Sequence, residues 1–205
     1  MHQARQHSEA RTRERRHRLA HEAARWMSQN GVRDFQLAKR KAALRLGIHE
    51  EACLPRNSEI EEALRAYRQL FAGDTDADHL KTLRAAAAEA MASMHAFDPR
   101  LVGAVLDGTA DAHSAVQLHV FVDAVFDFDD FLQRARLKAV QRVRKLRLDR
   151  TRSADFDVRL LNVDGIDFDI TVMPRDLIRQ APLSSATERP MARASLKQLQ
   201  GLLQD

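Results

Sequence analysis

The sequence predicts an α+β protein. A basic N-terminal half of four helices spans residues 1–98, and a small mixed-sheet α/β half with a C-terminal helix spans 99–205. Three observations predict it. Apolar residues recur at helical spacing as far as Phe97. From Leu101 onward they alternate or run in short blocks, as strands require. Asp164-Gly165 then separates two alternating arms, the dipeptide that a tight hairpin turn prefers.

The first helix is expected over residues 8–30, with Leu19, Ala20, Ala23, Ala24, Trp26 and Met27 as its apolar stripe and Asn30-Gly31 as its stop. Asp34 suits the N-cap of a second helix, which carries Phe35, Ala38, Ala42 and Leu46 and ends at Gly47. Pro55 and Asn57 mark a loop. Ser58 to Glu61 reads as a capping box opening a third helix, whose buried face is Ile60, Leu64, Tyr67 and Phe71. After a polar break from Gly73 to Asp78, a fourth helix runs from His79 to about Phe97. Its alanine run, Ala85 to Ala88, permits close packing.

In the second half, Leu101 to Leu106 reads as a buried strand and Val116 to Val120 as an alternating one. A helix over 125–137 follows, then strands over Val140–Leu148, Phe156–Val163 and Ile166–Val172. Residues 175–193 read as loop, and Ser195 caps a last helix through Leu203.

The net charge is +4 and the pI is about 9.6. The excess crowds the first fifty residues: Arg11, Arg13, Arg15, Arg16 and Arg18, then Arg25, Arg33, Lys39, Arg40, Lys41 and Arg45. Such a half suits phosphate, an acidic protein surface or a solvated helix face. Aromatics are only 5%, too few for a stacking platform on single-stranded nucleic acid. The single cysteine, Cys53, allows no intrachain disulfide and fits a reducing compartment. No apolar run reaches membrane-spanning length and no signal-peptide core is present, so the expectation is a cytoplasmic protein without membrane partners.

Leu106-Asp107-Gly108-Thr109 ends the first apolar run, and Ser114-Ala115-Val116-Gln117-Leu118-His119-Val120 follows a short loop. This pattern resembles the minimal nucleotidyltransferase superfamily over residues 100–173. In that family a Gly-Ser or Gly-Thr turn precedes a strand bearing two aspartates one residue apart. A later strand supplies a third carboxylate. The resemblance implies a nucleotide cradled by Gly108, Thr109 and Ser114, and magnesium held by carboxylates if activity is retained. Such metals neutralise triphosphate charge and orient the attacking oxygen, and magnesium wants hard oxygen ligands. Here the two aspartate positions fall on Ala115 and Gln117. Asp167 and Asp169 share one face of the last hairpin arm; either matches the third carboxylate, and the two are the candidate catalytic residues. The implied protein is a catalytically impaired or repurposed transferase that binds a nucleotide or nucleic-acid end. Gln117 and His119 share a strand face and can hydrogen-bond a ligand, or form the polar side of a half-covered strand.

Other constellations are weaker. His17 and His21 have i,i+4 spacing but no local third metal ligand. Asp123, Asp127, Asp129 and Asp130 lack the spacing and glycine of a calcium loop; they suit a helix start or an ion-paired contact with the basic half. Phosphate-loop, dinucleotide-fingerprint and serine-elbow motifs are absent. The alternative function is a non-catalytic nucleic-acid- or protein-binding module. In it, the first two helices form a helix-turn-helix-like pair, Gln36 and Lys39 approach base edges, and Arg15, Arg16, Arg40 and Lys41 meet phosphate.

Overall fold

The computed structural model describes residues 2–30, 34–71, 74–184 and 187–204; the side chains of 2–5, 7, 8, 68–71 and 74–76 fall outside that description. The chain forms two compact units, residues 1–72 and 73–205. The fold class is α+β, as the residue patterns require.

The first unit holds α1 (His2–Asn30), α2 (Phe35–Leu46), a 3-10 turn (Glu51–Cys53) and α3 (Asn57–Phe71). Leu19, Ala20, Ala23, Ala24 and Met27 of α1 are buried against Ala38, Ala42 and Ala43 of α2, Cys53, and Ile60 and Ala63 of α3. This alanine-rich seam lets the helix axes approach closely. Asp34 caps α2, its carboxylate accepting from the backbone of Gln36 at 2.8 Å and Leu37 at 3.0 Å. Gly47 ends α2 at φ 64. The third helix begins earlier than the Ser58 pattern implies. Glu59 reaches back to the backbone N–H of Arg56 at 2.6 Å, so the cap lies ahead of Asn57. Gly31 lies outside the described residues and the Phe71 side chain outside the described side chains.

The second unit begins with α4 (Asp74–Ser93), so the helix expected to close the N-terminal half belongs instead to the sheet. A 3-10 turn (His95–Phe97) leads to β1 (Arg100–Val102), the four-residue α5 (Ala104–Asp107), β2 (Val116–Val122) and α6 (Val125–Arg134). Then come β3 (Val140–Arg147), β4 (Ser153–Val163), β5 (Ile166–Pro174), a 3-10 turn (Arg175–Arg179) and α7 (Leu196–Gln204). The first apolar run is thus a three-residue strand followed by a helix. Gly103 makes the change of direction at φ 72, ψ −153, a conformation that is essentially glycine's alone.

The five strands are ordered β1-β2-β5-β4-β3, with β2 and β5 parallel and the other neighbours antiparallel. Alternation sorts the side chains onto two faces. Val116, Leu118, Val120, Phe168, Ile170 and Val172 pack under Leu83, Ala87, Met91 and Met94 of α4, Phe128 and Leu132 of α6, and Leu199 of α7. The second face holds Phe121, Met173 and Phe156 at one end, covered by Leu177 and Ile178 of the 3-10 turn. Asp164 (φ 51) and Gly165 (φ 82) both take the left-handed turn conformation and set the β4–β5 register, Val163 opposite Ile166.

The acidic patch is consumed within this unit. Asp129 grips buried Arg159 with two bonds of 2.7 and 2.8 Å. Asp130 pairs with Arg134, Asp123 with Arg175, and Asp127 accepts from the backbone of Ala124 at the start of α6.

Candidate functional site

The second face of the sheet gathers the polar groups. On β2, Gln117 and His119 project to this side, flanked by Val102 and Arg100 of β1 as their cross-strand partners. On β5, Asp169 lies beside Gln117 and Thr171 beside His119. Gln117 also meets the bend after β1, because a Cβ on Gly103 would collide with its Oε1. Gly103, Gln117 and Asp169 therefore form one line across three elements.

Asp169 is not an open carboxylate. Arg144, on the edge strand β3, reaches across β4 and donates to both its oxygens, at 3.0 and 2.7 Å, and to the Thr171 hydroxyl at 3.3 Å. Bidentate pairing of this kind occupies the oxygens a metal would need. Asp167 points to the same side but sits at the exposed hairpin end, accepting from Asn162 Nδ2 at 2.7 Å. Gln117 supplies only a neutral amide. Among the described residues no group of three His, Cys, Asp or Glu side chains could hold a metal ion. The donor set at Gln117 and Asp169 does not fit magnesium.

His119 is 3% exposed, and its Nδ1 has no hydrogen-bond partner among the described residues. Burial, reinforced by the positive charges of Arg193 and Arg144, holds its pKa down at about 4, against the pull of Asp169. The ring is neutral at pH 7. Arg193 lies over Phe121, 5.4 Å from the ring centroid, and its own pKa is lowered by burial and then by the charge of Arg100.

The Gly108-Thr109 turn does not join this group, which corrects its expected role. Gly108 is the left-handed C-cap of α5, at φ 71. A Cβ placed on it would stand 3.6 Å from Arg84 and 3.9 Å from Leu80, both on α4, which covers the opposite face. Arg84 also donates to the carbonyls of Val105 and Leu106, fixing the turn to α4. The Ser114 hydroxyl is engaged by Asp111, donating to its carboxylate at 2.8 Å and accepting from its N–H at 2.9 Å. Sequence reasoning missed Gly103, Arg144, Arg100 and Arg193. The available signal was Gly103 directly after Leu101-Val102, two residues past the start of the run.

In the first unit, Arg15 is paired with Glu50 at 2.6 Å and Arg16 donates to the carbonyl of Ala52 at 2.8 Å. Lys39 is half-buried, and burial lowers its pKa against the opposing charge of Glu59. Gln36, Arg40 and Lys41 remain exposed on α2. The ring nitrogens of His17 and His21 lie 3.1 Å apart and share a hydrogen bond. Cys53 is buried and donates to Glu50 at 3.3 Å; burial and that bond push its thiol up, away from nucleophilic use.

An apolar groove of about 570 Å³ opens between α4, α6 and the β4–β5 hairpin, lined by residues such as Ala86, Ala90, Leu132 and Phe168. Gln117, His119, Asp169 and Arg144 do not line it. Among the described residues no helix is long and apolar enough to cross a membrane. Compared with known proteins, the chain matches no family model, no curated protein and no solved structure.

Proposed function

We propose that residues 73–205 form a nucleotidyltransferase-like unit that binds a nucleotide on the second face of its sheet and has lost metal-dependent transfer. The observation that carries this reading is the alignment of Gly103, Gln117 and Asp169. The resemblance implies a Gly-Ser or Gly-Thr turn ahead of that strand and a carboxylate on a later one; here a glycine bend without the hydroxyl residue, Gly103-Ala104, and the carboxylate of Asp169 flank Gln117. The bend is Gly103 rather than Gly108. The central carboxylates are replaced by Ala115 and Gln117, and the remaining one is neutralised by Arg144. Two-metal chemistry needs negative ligands that this set lacks.

The test is a thermal-shift titration of the full chain with ATP, GTP, CTP and UTP, each with magnesium and with EDTA. A ligand that binds the folded state raises its stability in proportion to ln(1 + [L]/Kd). A concentration-dependent rise with at least one nucleotide is expected. No rise with any of them overturns the reading.

A second reading is favoured by the exposure of Gln36, Arg40 and Lys41 on α2, which leaves a polar, basic stretch free to meet nucleic acid. Gln36 and Arg40 are four apart and share a helix face. Binding through them would weaken steeply with salt. Salt-insensitive binding, or none, excludes it.

A further inference from the structure

We infer that the second face of the sheet holds a phosphate or pyrophosphate group without a divalent cation, between Arg100, Arg193 and His119, with Arg144 standing at Asp169 in place of a metal. The inference rests on the nucleotide-binding reading and names the chemistry of that same site.

The geometry begins with a row across the sheet. Arg100 on β1, His119 on β2 and Thr171 on β5 are successive cross-strand neighbours. Arg193 comes in over Phe121, the next residue of β2 on this face. Arg100 donates to the carbonyls of Asp98 and Pro99, and Arg193 to those of Leu177 and Ile178. These neutral acceptors fix the two guanidinium groups without cancelling their charge. Neither makes an ion pair with a carboxylate among the described residues. Asp169, the carboxylate whose charge acts on His119, is already bound by Arg144.

The surroundings of His119 are therefore positively charged. The depressed pKa values of His119 and Arg193, after burial, trace to neighbouring arginines. Such a setting repels a divalent cation and attracts a compact anion. Guanidinium groups suit phosphate oxygens because their planar N–H pairs donate in parallel. His119 adds a buried ring nitrogen with no partner among the described residues, a position that a ligand oxygen would satisfy.

The experiment uses the full chain and inorganic pyrophosphate as the probe, titrated calorimetrically in EDTA and again with magnesium. Binding is expected in EDTA, and magnesium is expected not to strengthen it. Arg100→Gln and Arg193→Gln should each weaken it by about tenfold, the loss of one charge-assisted bond. Arg193→Lys, which keeps the charge, should weaken it less, and Arg134→Gln, on α6, should leave it unchanged. Should Arg193→Gln not fold, Arg100→Gln and the metal-free titration decide. Pyrophosphate binding that needs magnesium, or that ignores both arginine substitutions, overturns the inference. Nucleotides bound only with magnesium would leave the nucleotide reading standing and sink this one. Metal-free pyrophosphate binding with no affinity for any nucleotide would do the reverse. No binding of either kind sinks both.

Discussion

Arg144 on the outermost strand and Asp169 two strands inward are joined by two hydrogen bonds of 3.0 and 2.7 Å, spanning β4 between them. The Asp169 side chain is 11% exposed and that of Arg144 36%, so the two partners do not carry equal risk. Removing Arg144 strands a buried carboxylate. Removing Asp169 leaves a guanidinium that can turn toward water.

Arg144→Met is accordingly expected to cost roughly 2 kcal/mol, below the range for a fully buried pair because solvent screens one partner. Asp169→Asn should cost about 1 kcal/mol. Urea midpoints of the two variants decide the matter; a larger loss for Asp169→Asn would contradict the asymmetry.

Acid should weaken the second unit through His119. Its folded-state pKa of about 4 lies below the ordinary histidine value. Above that ordinary value neither folded nor unfolded ring takes a proton. As pH falls through about 6.5, the unfolded chain protonates and the folded one does not, so stability declines until pH reaches about 4. The charged groups acting on the ring are Arg193, Arg144 and Asp169, and Arg100 is its neighbour on β1. The decline attributable to this residue is ~3 kcal/mol. It appears as the difference between the pH–stability curves of the parent and His119→Gln. Superimposable curves would show that the ring titrates normally.

Gly103→Ala should destabilise by about 1–3 kcal/mol, because the backbone region it occupies excludes a Cβ. A further part of the loss comes from the contact with Gln117. Adding Gln117→Ala should recover that steric part alone, leaving the backbone cost in place. Full recovery in the double variant would mean that the backbone is not strained at this bend.

Much of the fold is legible in the residues because its signals are local. Asp34 and Gly47 bracket α2, and Asp164-Gly165 sets the hairpin register. Alternation places Gln117 with His119 and Asp167 with Asp169 on one side. What is not legible depends on distant partners. Leu101 to Leu106 is short and wholly apolar, a pattern shared by strand and buried helix, and only Gly103 marks the break. The parallel pairing of β2 with β5 joins segments about fifty residues apart and leaves no local trace. Arg144 sits in a strand already rich in basic residues, so nothing nearby distinguishes the one that turns inward to Asp169.

The allegiance of α4 governs where this chain can be divided. A fragment starting at residue 99, where the composition changes, would discard Leu83, Ala87, Met91 and Met94. The apolar sheet face would then keep only α6 and α7 as cover, and such a piece would be expected to aggregate however intact its polar residues. A cut at residues 72 and 73 instead keeps the sheet with the helix that shelters it.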